Sequence, residues 1–422
     1  MTNLAYDLDE LNRAMAAYFE PAPRTAFQSA CSFASDDVLI PSVLAHLVKS
    51  GYKNNRPTFL DDNGKLIEGV YANVPNDVYH DLDAISSSQV KCYVDSPKKY
   101  ERNYVDKNGR LFNKKSRETG TLTHEIVLEG VDVFNSRRFT LLDAADYPND
   151  LKSLADLKSA CVKHGLQVSG TISELSRRLH VAGVSDKPFE TRQLEWIKAN
   201  IGIDCYDACI EALDFNITCS AIIKLLDETP ELAQKALKLP VSREMQLDVI
   251  ALDEAVKSNT YATKFLDRKL GMPEVMFISK DNETGLMLKC KVDWLVVLKG
   301  IIVPCDLKTT RSANPYLASY QFADLRYDLQ AAFYLKVIKP HLRANEFTER
   351  LFPLITVETG DCNICEVFEL HDDDWNIAET ELPTIIKNMQ NSISKQSYLG
   401  YTEKGKSVIK LARRKSALSA IR

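Results

Sequence analysis

Three consecutive apolar segments between Glu274 and Thr310 constrain the fold of this chain more than any other feature. The segments EVMFISK and GLMLKCKVDWLVVLKG are separated by Asp-Asn-Glu-Thr, and IIVPCDLKTT follows directly. Apolar segments of this length with a turn sequence between them predict neighbouring β-strands. A further hairpin is predicted in LFPLITVETGDCNICEVFEL, with helical patterns on both sides of the strands. The pattern therefore predicts an α/β fold with a sheet flanked by helices.

Each of the last two predicted strands carries an acid among apolar residues, Asp293 and Asp306. Residues i and i+2 of a strand point to the same face, so Asp306 and Lys308 project together and Asp293 can meet them from the neighbouring strand. Converging carboxylates repel unless a cation lies between them, and Mg²⁺ or Mn²⁺ prefers oxygen ligands. Acids with a lysine around such a metal favour phosphodiester hydrolysis, although a solvated turn can also carry D-x-K.

The helical region after Lys308 carries Tyr327, Gln330 and Tyr334 on one face. An aromatic stripe of this kind usually packs in a core. A glutamine on the same stripe is not what a core prefers, so this face is a candidate part of the site.

The motifs VD…DLKTT…YDLQAAFY resemble the PD-(D/E)xK nuclease superfamily and, within it, the RecB-like branch with its Q-x-x-x-Y signature. SSSQVKCYVDSPKKY is similar to the first helix motif of that branch, and GTLTHEIVLEG to its G-x-x-x-H helix. The order of the motifs most resembles the RecE exonucleases, also called exonuclease VIII. The resemblance covers residues 67–140 and 241–422, and it implies a restriction-endonuclease-like mixed-sheet core.

The resemblance also implies roles for individual residues. The implied ligands of Mg²⁺ or Mn²⁺, one of them through its backbone carbonyl, are His124, Asp293, Asp306 and Leu307. Lys308 is implied to assist the attacking water, and Glu274 to lie beside the metal. The residues implied to position the DNA end or support the lysine are Tyr327, Gln330 and Tyr334.

A RecE-type enzyme is a metal-dependent exonuclease that degrades the 5′ strand at double-stranded DNA ends and leaves a 3′ single strand for recombination. The resemblance further implies a single-strand annealing protein as partner and a homo-oligomeric ring. Two alternatives remain open: a structure-specific or single-strand DNA nuclease of the same superfamily, and a catalytically silent DNA-binding scaffold. The complete set of acids, lysine and His124 argues against loss of catalysis.

The chain is divided by its sequence pattern into four parts. Residues 1–66 are predicted to be an accessory segment, 67–140 and 241–422 the two parts of the core, and 141–240 a helical insertion. Within the insertion, residues 151–183 resemble a SAP motif, a helix–extended–helix DNA-binding module. A generic helical hairpin is the alternative.

Basic residues predict where DNA could be contacted, because phosphate contacts supply most non-specific affinity. Solvated surface charge is the ordinary explanation of such residues. One candidate group follows the first helix motif and the other lies on the SAP-like hairpin: Lys98, Lys99, Arg102, Lys114, Lys115, Lys158, Lys163, Arg177 and Arg178. The basic tail from Lys404 to Arg422 is a further candidate.

Composition excludes other classes of protein. The hydrophobic fraction of 45% and net charge of −5 are ordinary for a globular protein. No apolar run reaches the about 18 residues of a membrane span, and the acidic first residues lack the layout of a signal peptide. We expect a cytoplasmic protein, in the host cytoplasm if a phage encodes it. Ten scattered cysteines fit free thiols, and the single C-x-x-C at Cys362 does not favour zinc or an iron–sulfur cluster.

Overall fold

A computed structural model of the 422-residue chain describes most of the sequence. The described residues are 39–54, 56–107, 114–184, 187–214, 217–360 and 362–401, without the side chains of 114–117. The predicted contacts of Lys114, Lys115 and the basic tail from residue 404 lie outside the described side chains.

The strands follow the predicted turn chemistry. Lys299 and Gly300 both have positive φ and join two strands as a two-residue turn, the geometry that matches strand twist. Asp281 closes the preceding turn by accepting hydrogen bonds from the backbone and hydroxyl of Thr284. The strands in chain order are β1 (Lys49–Ser50), β2 (Tyr52–Lys53), β3 (Arg56–Pro57), β4 (Gly69–Ala72), β5 (Arg138–Thr140), β6 (Leu239–Val241), β7 (Gly271–Lys280), β8 (Met287–Leu298), β9 (Ile301–Thr310), β10 (Leu354–Glu358) and β11 (Cys365–Phe368).

The main sheet has seven strands in the order β1-β4-β7-β8-β9-β10-β11. The pairs β1/β4 and β9/β10 are parallel, and the other neighbours are antiparallel. The predicted α/β class with a mixed sheet is therefore confirmed. Part of the predicted accessory segment joins this sheet, because β1 pairs at its edge and Leu44 and Val48 pack in the core.

Helices cover both faces of the sheet. Several begin at side-chain caps, among them the capping boxes of Ser153 with Asp156 and Thr171 with Glu174. The helices are α1 (Asn76–Asp81), α2 (Ser87–Asp95), α3 (Pro97–Tyr100), α4 (Lys114–His124), α5 (Val131–Arg137), α6 (Leu154–Lys163), α7 (Ile172–Val181), α8 (Phe189–Ile201), α9 (Ile203–Ala212), α10 (Cys219–Glu228), α11 (Pro230–Ala233), α12 (Arg243–Ser258), α13 (Thr260–Phe265), α14 (Pro315–Asp324), α15 (Tyr327–Ile338) and α16 (Asp372–Lys395), with π-helical turns at Glu101–Val105 and Glu125–Glu129 and 3₁₀ turns at Ala144–Asp146, Lys339–His341 and Ala344–Glu346.

Two hydrophobic cores hold the helices on the sheet. On one face, α2, α15 and α16 contribute Val90, Phe333 and Trp375 to a core with β-strand residues such as Val292. On the other face, α12 and the turn after α4 pack with β9 and β10. The strand that carries Asp306 thus lies in the middle of three layers, where its position is fixed by packing on both sides.

Residues 141–240 contain six α-helices, α6 to α11, within the described ranges. They form small cores of their own, one around Ile197, Cys209 and Ile222 and one around Leu157 and Leu175 between α6 and α7. The helix–link–helix form of residues 151–183 agrees with either a SAP motif or a generic hairpin, so both readings remain predictions, as do the domain boundaries. Within the described ranges, no helix combines the length and apolar composition needed to cross a bilayer.

Candidate active site

The site forms where the pairing of β8 with β9 stops. The last paired residues are Trp294 and Cys305, so Asp293 and Asp306 are the next residues on the two strands. The backbone N–H of Leu307 donates to Oδ2 of Asp293 at 2.8 Å, which joins the two strands beyond the end of the ladder. The two acids that the sequence singles out therefore lie side by side at one edge of the paired region.

Glu274 enters the site from β7 through an unusual backbone conformation. Its neighbours pair with β8 as Pro273 with Trp294 and Val275 with Val292, while Glu274 and Asp293 between them do not pair. Glu274 has a φ of 56°, in the left-handed region that costs a residue with a Cβ roughly 1–2 kcal/mol. Such strain persists only where the surroundings impose it, and it clusters at functional sites.

His124 completes a group of three potential metal ligands. One ligand atom each from His124, Glu274 and Asp293 lies within 4.8 Å of the others. Nε2 of His124 is 2.8 Å from the carbonyl oxygen of Leu307, and Nδ1 is 3.8 Å from Oδ1 of Asp293. Because a carbonyl only accepts, Nε2 carries a proton, and Nδ1 is the ring nitrogen that faces the acids.

Asp306 is held by two side chains. Oδ1 accepts a 2.8 Å hydrogen bond from Nε2 of Gln330, and Oδ2 lies 2.7 Å from the ammonium of Lys308. Apart from this ion pair, Oδ2 has no hydrogen-bond partner, although Asp306 is only 1% exposed. Asp306 is not within the group formed by His124, Glu274 and Asp293, but it lies next to it on the neighbouring strand.

Two pKa values in the site are raised, that of Asp293 mainly by burial and that of Lys308 by neighbouring charges. Burial raises the pKa of Asp293 above its ordinary value, and the negative charge of Asp306 adds to the increase while His124 opposes it. Burial alone would lower the pKa of Lys308, but the charges of Asp306 and Asp293 outweigh it and raise that pKa. Asp293 is thus short of positive charge, while Lys308 is held protonated.

The donor set fits a hard divalent cation. It offers carboxylate oxygens and one imidazole nitrogen, with no thiolate among them, and Oδ2 of Asp306 is a buried acceptor that has no hydrogen-bond partner apart from its ion pair with Lys308. Such ligands suit Mg²⁺ or Mn²⁺ better than a soft metal. The structure therefore contains a candidate metal site. The carbonyl of Leu307, the fourth implied ligand, instead accepts from His124.

The tyrosines of α15 lie in different places. Tyr327 is buried beneath two lysines, with the ammonium of Lys308 5.7 Å and that of Lys91 5.3 Å from its ring centroid. Tyr334 is buried against Phe352, and its hydroxyl donates to the carbonyl oxygen of Lys291 on β8. Tyr334 therefore supports the strand of Asp293 from within the core.

Two lysines of the site are not among the residues that the sequence singles out. Lys291 is only 8% exposed and pairs with Glu274 at 2.7 Å, while also donating to the Val74 carbonyl and Asn76. Lys91 of α2 donates to Gln330 at 2.8 Å. Burial lowers the pKa of Lys91 to about 8, and the charge of Lys308 acts in the same direction. For Lys291 the signal was its place two residues before Asp293, on the same face of β8.

The candidate DNA-contacting residues are mostly exposed, but some have protein partners. Lys98 pairs with Glu101, and Lys99 pairs with Asp95 at 2.6 Å. Arg178 donates to carbonyls of the link between α6 and α7 and so holds the hairpin together. The side chains of Arg102, Lys158, Lys163 and Arg177 are also exposed. No contact in the structure tests their predicted role.

Comparison with known proteins gives a family-model match to part of the chain. Residues 224–409 match a family model described as a PDDEXK-like domain of unknown function (DUF3799). The crystal structure of a "Putative exonuclease" from Eubacterium rectale is similar to this chain, with 13% identity over 64% of this chain and 95% of that chain and a TM-score of 0.28. That score is too low to carry an argument. None of the curated proteins compared matches the chain.

The family match includes the acids and the lysine of β7 to β9 but not His124 or Lys91, which lie before residue 224. The match does not reach the RecE-type resemblance or the SAP-like hairpin, which both stay predictions. The match to residues 224–409, together with the acids and the lysine that these residues bring together, supports the PD-(D/E)xK nuclease superfamily.

Proposed function

We propose that this protein is a metal-dependent exodeoxyribonuclease that resects double-stranded DNA ends. The observation that carries the proposal is the meeting of Asp293 and Asp306 on adjacent strands, with Lys308 paired to the second acid and His124 and Glu274 beside the first. An acid cluster beside a protonated lysine can bind a hard cation and a phosphate together, which phosphodiester hydrolysis requires.

The residues that would hold the metal are His124 through Nδ1, Glu274, Asp293 and Asp306 through Oδ2. When bound, a divalent cation such as Mg²⁺ or Mn²⁺ polarises a phosphate oxygen and lowers the pKa of a coordinated water. The left-handed backbone of Glu274 agrees with a functional site, and the raised pKa of Asp293 agrees with a carboxylate that a bound cation would stabilise.

Lys308 acts as a hydrogen-bond donor in this proposal. The two neighbouring acids raise the pKa of Lys308, so its side chain stays an ammonium at neutral pH and cannot accept a proton from water. A protonated lysine can orient the attacking water by donating to its oxygen, or stabilise charge that develops on the phosphate. Tyr327 beneath the ammonium limits where Lys308 can point.

Preference for duplex ends, degradation of the 5′ strand and release of a 3′ single strand rest on the RecE-type resemblance. The same resemblance supports a single-strand annealing protein as partner and a ring-shaped homo-oligomer. These five features follow from the resemblance and not from the geometry of the site.

The proposal can be tested with linear duplex DNA that carries a label at either the 5′ or the 3′ ends. With Mg²⁺, the parent protein should release the 5′ label first as mononucleotides, and EDTA should stop the reaction. The test variant is Asp306→Asn, which keeps the shape of the side chain but removes its charge, and its rate of cleavage should fall. Glu283→Gln, in the exposed turn before β8, controls for loss of an unrelated acid.

Each outcome separates the alternatives. Early release of the 3′ label would still support a nuclease but would refute the proposed 5′-to-3′ polarity. Cleavage of a single strand or of a branched duplex in preference to the linear duplex would favour the rival nuclease. DNA binding without cleavage in either Mg²⁺ or Mn²⁺ would favour the silent scaffold, and equal rates for the parent and Asp306→Asn would refute the site.

A further inference from the structure

Lys91 reaches the active site from α2, outside the matched domain. Its ammonium donates to Oε1 of Gln330 at 2.8 Å and lies over the ring of Tyr327. The helix that carries Lys91 is firmly placed, because Ser86 and Gln89 form its capping box and the hydroxyl of Tyr93 bonds to α16. The half-buried side chain of Lys91 is therefore directed at Gln330 by rigid structure.

The amide of Gln330 has one possible orientation between its two partners. Its Nε2 donates to Oδ1 of Asp306, and its Oε1 accepts from Lys91. A carboxylate only accepts hydrogen bonds and an ammonium only donates them. Rotation of the amide by 180° would place N–H against ammonium and oxygen against carboxylate, so the charge of Lys91 fixes which end of Gln330 faces Asp306.

This connection decides which oxygen of Asp306 faces the site. Oδ1 is occupied by Gln330, which leaves Oδ2, beside Lys308 and without another donor, as the oxygen available to a metal. Gln330 is only 5% exposed, so water cannot readily replace either bond. Lys91 and Asp306 thus lie at opposite ends of one short chain of hydrogen bonds.

We propose that Lys91 is a positioning residue of the active site, which orients Asp306 through Gln330 without touching metal or DNA. The proposal rests on the proposed function, because it assigns Asp306 the role of ligand. A second cation close to Lys308 is electrostatically unfavourable, and a methionine could fill the same space without that cost. The structure offers a compensating gain, the fixed amide of Gln330.

Residues behind a metal ligand typically change metal affinity or activity by about 10- to 100-fold when replaced. Lys91→Met should therefore weaken Mn²⁺ binding, measured by calorimetry, and lower kcat with little change in KM. Lys91→Arg keeps a donor for Oε1 and should recover most of the loss. Lys339→Met removes an exposed lysine that pairs with Glu349 and should behave as the parent does.

A double-mutant cycle gives the sharpest test. If Lys91 acts through Gln330, Lys91→Met should add little to the loss that Gln330→Met already causes. Multiplied losses, or a rise in KM on removal of Lys91, would overturn the proposal and make Lys91 a direct phosphate contact. Unchanged Mn²⁺ affinity and kcat in folded Lys91→Met protein would also overturn it.

The Mn²⁺ titration separates this inference from the proposed function. A parent protein that binds Mn²⁺ without cleaving DNA would refute the nuclease, while a non-additive effect on Mn²⁺ affinity would still support the role of Lys91. Should Lys91→Met fail to fold, Lys91→Arg and Gln330→Met provide the comparison. Full activity of Gln330→Met would then overturn the inference.

Discussion

Replacing Lys308 by alanine removes the ammonium that lies 2.7 Å from Oδ2 of Asp306. Loss of one preorganised donor at a site of developing charge costs about 10²–10³ in kcat, or about 3–4 kcal/mol. We expect a loss of this size, because Lys308 is held protonated by two acids and its position is limited by Tyr327. KM should change little, since the contact strengthens in the transition state.

The same substitution should also change stability in a way that depends on metal. Asp306 is 1% exposed, and breaking a buried ion pair from one side costs about 3–5 kcal/mol. In EDTA, Lys308→Ala should therefore unfold at lower urea concentration than the parent. The double variant Asp306→Asn/Lys308→Met has no unpaired charge and should recover part of that stability. Mn²⁺ should stabilise the single variant more than the double variant.

The assay is steady-state cleavage of a short labelled duplex, with urea unfolding of each variant in EDTA and in Mn²⁺. Lys308→Arg tests whether charge alone is sufficient, and it should recover only part of kcat because the guanidinium is larger and differently shaped. A variant with parental kcat and a raised KM would refute the reasoning, since Lys308 would then be a simple phosphate anchor.

Three further expectations test other parts of the molecule. Glu274→Gln should lower Mn²⁺ affinity by at least about 10-fold while Glu283→Gln does not, and equal calorimetric affinities would remove Glu274 from the metal site. Burial lowers the pKa of Lys289 from 10.5 to about 8, so the unfolded chain binds the extra proton between these values. The urea stability of the parent relative to Lys289→Met should therefore rise with pH across that window, by at most about 3 kcal/mol, and a pH-independent difference would contradict this. Excising residues 151–183 with a short Gly/Ser link should preserve cleavage of short duplexes but weaken binding of long DNA as salt rises, and an unchanged salt response would recast the hairpin as a protein contact.

The sequence predicted the features that depend on residues close together in the chain. Apolar segments and the turn residues between them indicated β7, β8 and β9, and i, i+2 spacing placed Asp306 and Lys308 on one face of a strand. The fold class follows from the same segments. These inferences succeed because a strand and its turns are determined by residues close together in the chain.

Contacts between residues far apart in the chain could not be predicted from the sequence. Lys91 and Gln330 are 239 residues apart, and nothing local in SSSQVKCYVDSPKKY marks the lysine rather than its neighbours. The parallel pairing of β1 with β4 likewise depends on tertiary packing, since a strand of two residues has no periodicity. Glu274 was found by resemblance, but its left-handed backbone is visible only in the structure.

The central claim is that His124, Glu274, Asp293 and Asp306 hold a divalent cation at the active site. Anomalous diffraction from crystals grown with Mn²⁺ tests it most directly, with Asp306→Asn crystals as the matched control. The account predicts a manganese peak in contact with Nδ1 of His124 and with oxygens of Asp293 and Asp306, and a weaker peak in the control. Crystals that show no peak among these residues at saturating Mn²⁺, or a peak held by other side chains, would contradict the account.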